Sequence, residues 1–192
     1  MSKKWLFFDC FGVLIDSMVH EGTNFKISKQ DINEIQEKVF NKLDRGAMSN
    51  KDALTELSKI VGCPGEEFIR EVFAEKATIN TELVAWIKKN NQKYHIALLS
   101  NAAPLYLDPI FKLHNLGSLF EKMFVSYDFK ITKPSPSFYT RALAEANCQP
   151  QNAVMIDDRV DNITAARNVG MHGIVFENTD KTITQIKTLF PE

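Results

Sequence analysis

Five polar residues stand where apolar runs stop: Asp9 after WLFF, Ser100 and Asn101 after YHIALL, and Asp157 and Asp158 after AVMI. If those runs are neighbouring parallel strands, their carboxyl ends bring the polar groups together, as ligand sites in open α/β sheets require. Carboxylates gathered from separate strands repel one another unless a cation lies between them, and hard oxygen donors suit magnesium. A hydroxyl and an amide on the next strand can hold a substrate anion. Lys133, in the segment ITKPSPSF, can supply the balancing positive charge. Gly12 lets the backbone turn just past Asp9 and approach a ligand closely.

The elements that must position these groups follow from the apolar pattern. WLFF, YHIALLS, KMFVS, AVMID and GIVF are short, nearly continuous apolar runs, as expected of strands buried on both faces of a parallel sheet. Amphipathic helices are expected over TELVAWIKKN, near 104–114, near 135–146, over VDNITAARNVG and at the carboxyl end. In KPSP, Ser135 and Pro136 read as the N-cap and first residue of a helix. Strands alternating with helices imply a Rossmann-like α/β core with right-handed crossovers.

Residues 16–80 break that alternation. Ser28 opens a helix carrying Ile32, Ile35, Val39 and Leu43, and Ser49 caps a second carrying Leu54, Leu57, Ile60 and Val61. A third starts near Pro64, with Phe68, Ile69, Val72 and Phe73 on one side. These stripes are packing faces. The expected organisation is a core formed by 1–15 and 81–192, with a small helical cap formed by 16–80 lying over the strand ends.

Composition narrows the partners. The 192 residues are 44% hydrophobic and 24% charged, ordinary values for a folded globular chain. A net charge of −1 gives no electrostatic case for nucleic acid or an anionic membrane. Cys10, Cys63 and Cys148 form no CxxC pair and no zinc spacing, which suits a reducing compartment. Asp9 interrupts the first apolar run too early for a signal peptide, and no run reaches membrane-spanning length. The expectation is a cytoplasmic protein acting on a small molecule; oligomeric state is left open.

Four segments carry a resemblance. FFDCFGVLIDS, LLSN, KPSPSFY and MIDDRVDNITAARNVGM, in that order, resemble the four motifs of the haloacid dehalogenase-like hydrolases, most of which are phosphatases. The helical insert falls where that superfamily places its small cap, and the RGAMS turn resembles short bacterial members acting on sugar phosphates. The resemblance implies that Asp9 is the nucleophile and forms an aspartyl-phosphate that water hydrolyses. It implies that Ser100 and the backbone around Asn101 hold the phosphoryl oxygens. Lys133 would neutralise charge on Asp9 and the phosphoryl group. Magnesium would be bound by Asp9, the backbone carbonyl of Phe11, Asp158, and Asp157 directly or through water. Asp161, Asp16 and Ser17 would be structural.

One position departs from the pattern. Phosphatases of this superfamily usually carry a second aspartate two residues after the nucleophile, which protonates the leaving oxygen; this chain has Phe11. General acid–base catalysis contributes about 10²–10⁴-fold. Three readings follow: a magnesium phosphatase using a better leaving group (anomeric, acyl or aryl phosphate) or a substitute acid such as His20; a hydrolytic 2-haloacid dehalogenase, which Phe11 suits and the retained Asp157–Asp158 pair does not; and a catalytically weak protein that binds a phosphorylated ligand. His95, His114 and His172 read as structural, Cys10 as buried on the opposite face, Arg45 as a helix end or a cleft residue, and Trp5 and Trp86 as core.

Overall fold

The computed structural model describes residues 3–16, 25 and 27–191. Five short strands, β1 (Trp5–Phe8), β2 (His95–Ser100), β3 (Lys122–Val125), β4 (Ala153–Asp157) and β5 (His172–Val175), form one sheet ordered β3-β2-β1-β4-β5. Every pairing is parallel, so the fold is α/β and Rossmann-like. The last strand begins at His172, one residue before the expected start.

The sheet is covered on both sides, which is why its strands lack polar alternation. Leu6, Phe8, Ile96, Leu98, Val154 and Ile156 point to one face. Phe7, Ala97, Leu99, Phe124 and Met155 point to the other, where the helices Pro136–Glu145 and Val160–Asn168 supply Phe138, Tyr139, Ile163 and Ala166. Truncating one of the larger of these buried side chains to alanine costs about 2–5 kcal/mol. Trp5 is buried as expected, whereas Trp86 is half-buried and lies against Tyr94 with ring centroids 6.1 Å apart.

The helical segment between β1 and β2 packs on the first face. Its opening helix, Lys29–Ile35, starts with a capping box: the Ser28 hydroxyl accepts from the Asp31 N–H at 3.1 Å, and the Asp31 carboxylate accepts from the Ser28 N–H at 2.8 Å. The helix continues through a π-helical turn, Gln36–Phe40. The helix Asn50–Val61 is capped by Ser49 and stops at Gly62. Gly65–Ile69 again runs into a π-helical stretch, Arg70–Glu75. Neither π segment is visible in a 3.6-residue apolar period, because the extra residue appears only in the hydrogen-bond ladder.

Aromatic rings join this segment to the sheet domain. Tyr106, on the helix Pro104–His114, lies 5.8 Å from Phe11, 5.4 Å from Phe40 and 4.9 Å from Phe73, centroid to centroid. Its hydroxyl donates to the buried carboxylate of Asp44. Burial pushes the Asp44 carboxyl up to about 6, against the opposing influence of that hydrogen bond and of Arg45. Arg45 itself is exposed and completes a helix end rather than facing the cleft. Among the described residues, no helix is long and apolar enough to cross a membrane.

Candidate active site

The order of the sheet dictates where its polar residues meet. The chain leaves the central β1 towards β2 and β3 on one side and later returns to β4 and β5 on the other. The crevice at that reversal, beyond the carboxyl strand ends, is the favoured ligand position of such a sheet. Asp9 lies there directly after β1, Ser100 ends β2, and Asp157 ends β4.

Lys133 closes the arrangement from the loop before Pro136–Glu145. Its ammonium donates to Asp9 Oδ1 at 2.9 Å and to Asp157 Oδ2 at 2.6 Å, with the lysine side chain 1% exposed. The Lys133–Pro134 peptide is cis. The Asn101 side chain brackets the lysine backbone, accepting from its N–H at 2.7 Å and donating to its carbonyl at 2.9 Å. Asn101 therefore ties the end of β2 to the lysine loop.

The two adjacent aspartates have different surroundings. Asp157 is fully buried, and its Oδ1 accepts from the Arg159 N–H and the Asn162 amide at 2.9 Å each. Its Oδ2 accepts from Lys133 and, at 3.0 Å, again from Asn162. Its acceptor positions are thus largely occupied, so its direct action is on Lys133. Asp158 instead opens to the cleft. Gly12, at φ +80°, makes room for it: a β-carbon there would lie 2.5 Å from Asp158 Oδ2. The glycine is needed for the left-handed turn and for the close approach of this carboxylate.

One oxygen from each of Asp9, Asp157 and Asp158 falls within 4.8 Å of the others. Three carboxylates against one ammonium leave a surplus of negative charge, which a divalent cation beside the outward-facing Asp9 and Asp158 would neutralise. Burial raises the Asp9 carboxyl to about 6; Lys133 opposes that rise, and the Asp157 charge adds to it. Asp158 is raised by burial and by its Asp157 neighbour. Burial alone would lower the Lys133 ammonium, but the attraction of Asp9 and Asp157 outweighs it and holds the group above its ordinary value. The lysine is held between the two carboxylates.

The cleft over these groups holds about 340 Å³, with Phe11, Gln36, Asn101, Arg159 and Asn162 among its lining residues. Ser100 ends β2 next to the cleft-lining Asn101; it is fully buried, and its hydroxyl has no hydrogen-bond partner among the described residues. An unpaired buried hydroxyl is costly, and a phosphoryl oxygen would satisfy it. The structure thus gathers Asp9, Asn101, Lys133, Asp157 and Asp158, puts Ser100 next to Asn101 at the end of β2, and places Phe11 on the cleft wall. Asp161 pairs with Arg159, and Cys10 is buried. His20 and Ser17 lie outside the described residues.

Sequence reasoning does not single out Gln36, Arg159 or Asn162. Asn162 had a readable signal, a polar residue on the buried face of a helix opening straight after two aspartates. Gln36 had none, because its place at the cleft depends on how the helical segment docks beside the strand ends.

A family model for haloacid dehalogenase-like hydrolases matches residues 3–170. The chain belongs to that family. The sesquiterpene phosphatase astK of Aspergillus oryzae is 23% identical over 170 residues, 85% of this chain and 86% of that protein. The drimenol cyclase drtB of Aspergillus calidoustus is 22% identical over 85% of this chain, which spans only 32% of the cyclase. In structure, a HAD family enzyme from Bacteroides thetaiotaomicron, solved with magnesium and inorganic phosphate, superposes with a TM-score of 0.74 at 19% identity, over 95% of this chain and 99% of that one. At that identity the likeness is one of fold.

Proposed function

We propose that this hydrolase is a magnesium-dependent phosphatase of small phosphorylated metabolites that works through an aspartyl-phosphate on Asp9. The observation that carries the reading is the Lys133 ammonium bridging Asp9 and Asp157, with Asp158 facing the same cleft. The phosphatase named among its relatives, and the structural neighbour solved with magnesium and phosphate, support it.

Asp9 attacks phosphorus, and the bond to the leaving group breaks. Lys133, held by Asp157 and Asn101, offsets the negative charge that builds on the phosphoryl oxygens, where most of the catalysis lies. The Ser100 hydroxyl and backbone N–H groups around Asn101 orient those oxygens. Asp9, the Phe11 carbonyl and Asp158 would hold magnesium, with Asp157 behind them, and the ion would supply further charge neutralisation at the phosphoryl group. Water then attacks the same phosphorus and frees Asp9. Residues 16–80 act as the cap that covers the reacting group and meets the leaving group.

A hydrolytic dehalogenase is the second reading, favoured by the aromatic Phe11 and opposed by the retained acidic pair. Hydrolysis of an aryl phosphate is expected to require magnesium and to vanish in Asp9→Asn. Halide release from a 2-halo acid that survives complete chelation points instead to attack on carbon.

A further inference from the structure

The site offers the leaving group no proton donor among the described residues. Among the described residues lining the cleft, the titratable ones are Asp9, Asp158, Lys133 and Arg159. Asp9 is the nucleophile of the proposed reaction, and Asp158 would hold the magnesium of that reaction. Lys133 is locked between two carboxylates, and arginine keeps its proton throughout the working range of an enzyme. The position that could carry an acid holds Phe11, whose ring lies 5.8 Å from that of Tyr106. None of these groups can protonate an alkoxide as it departs.

The cleft does offer a positive charge. Arg159 lines it, and its side chain is 65% exposed. Its Nε and Nη2 donate to Asp161 at 3.2 and 2.8 Å, which leaves the Nη1 donors for another anion. Exposed ion pairs of this kind contribute little, so the guanidinium can shift towards a ligand. It can also bind phosphate or carboxylate through two parallel hydrogen bonds.

Resting on the phosphatase reading, we infer that the substrates are phosphoric anhydrides, organic diphosphates or acyl phosphates, whose leaving group departs as a stable anion received by Arg159. An Asp9 oxygen bonds to the terminal phosphorus while the bridging P–O bond breaks. The electron pair leaves with the phosphate or carboxylate, and no proton is needed. Water then bonds to phosphorus, the Asp9–phosphorus bond breaks, and the proton from water passes to solvent. An acid at position 11 would be redundant in the first step of this sequence.

The test compares kcat/KM in the magnesium-loaded protein for n-butyl phosphate, n-butyl diphosphate and acetyl phosphate, in wild type, Phe11→Asp and Arg159→Gln. Wild type is expected to favour both anhydrides over butyl phosphate by at least ~10²-fold, the lower range of an acid's contribution. Phe11→Asp is expected to raise butyl phosphate turnover about 10-fold or more and the anhydrides less, so that the gap narrows; this comparison removes the intrinsic reactivity of the substrates. Arg159→Gln is expected to cut butyl diphosphate turnover about 10-fold, with a smaller loss on p-nitrophenyl phosphate. Equal wild-type turnover of butyl phosphate and the anhydrides, or a Phe11→Asp gain of one size on all three, overturns the inference and leaves the phosphatase reading standing. Phosphate release that persists in Asp9→Asn, or is absent with every substrate, overturns that reading itself.

Discussion

The two walls of the cleft are built on different terms. On the sheet side, the charged groups are held by several bonds drawn from separate strand ends: Asp157 accepts from Lys133, Asn162 and the Arg159 backbone, and Asn101 clamps the lysine backbone from both sides. On the helical side, Gln36 faces the cleft from a π-helical turn, with its amide donating to the exposed Asn41 at 3.0 Å. That wall is fastened below by aromatic packing around Tyr106, by the buried hydrogen bond from Tyr106 to Asp44, and by His114 Nε2 against the Ala74 carbonyl at 3.0 Å. Parallel strands fix positions tightly enough for bond making, whereas a helical layer resting on ring contacts can vary its inward residues without disturbing the chemistry. Loss of a sheet-side group should therefore remove the reaction, and loss of a helix-side group should change which molecule reacts.

The largest effect is expected at Asp9, the proposed nucleophile. Asp9→Asn is expected to lower kcat by at least ~10⁴-fold on every phosphorylated substrate, measured by phosphate release, while the protein stays folded. Lys133→Met comes next. It leaves Asp9 and Asp157 buried without their cation, and breaking such a pair costs about 3–5 kcal/mol. The variant should show a matching fall in urea-unfolding free energy together with its loss of activity. Unchanged stability would mean that the ammonium does not bind the two carboxylates as tightly as the 2.9 and 2.6 Å contacts indicate.

Smaller effects belong to the helical side. Burial raises the Asp44 carboxyl from 3.8 to about 6, so the folded state holds that proton more tightly than the unfolded state. The resulting stability is complete below the unfolded value and is lost as pH rises through about 6. Asp44→Asn keeps an acceptor for Tyr106 and removes the charge. Its stability relative to wild type is expected to increase between pH 4 and pH 7, by roughly 1–3 kcal/mol. A difference of equal size at both pH values would refute the burial argument. Gln36→Ala should have the least effect on stability, and on activity it should alter KM several-fold among substrates differing in their leaving group while kcat on p-nitrophenyl phosphate changes little. A uniform fall in kcat would place Gln36 in the chemistry.

Much of this division was legible in the sequence. Apolar runs ending in Asp9, Ser100 and Asp157 reported the strands, because a sheet covered on both faces requires such runs and its ligand end requires polar residues. Ser28 and Ser49 reported helix starts through their hydroxyls, which accept from Asp31 and Asp52. Ser135 sits at the expected helix start, but its hydroxyl contacts Ser137 at 2.8 Å and makes no cap bond. The individual duties of the acidic pair were less readable: adjacent aspartates look alike in a string, and only the fold shows that Asp157 is enclosed by Lys133 and Asn162 while Asp158 faces outward past Gly12. Gln36 was unreadable, since its place at the cleft depends on how the helical segment docks beside the strand ends, and the Asp44–Tyr106 contact depends on a docking between segments 62 residues apart.

The central claim is that phosphorus is transferred first to Asp9 and then to water. The stereochemical course at an isotopically chiral phosphorus, followed through one turnover in labelled water, tests it most directly. Two successive in-line displacements, each inverting the centre, give net retention, which is the result expected here. Net inversion would mean that water attacks the substrate in a single step, leaving Asp9 no covalent part in the reaction.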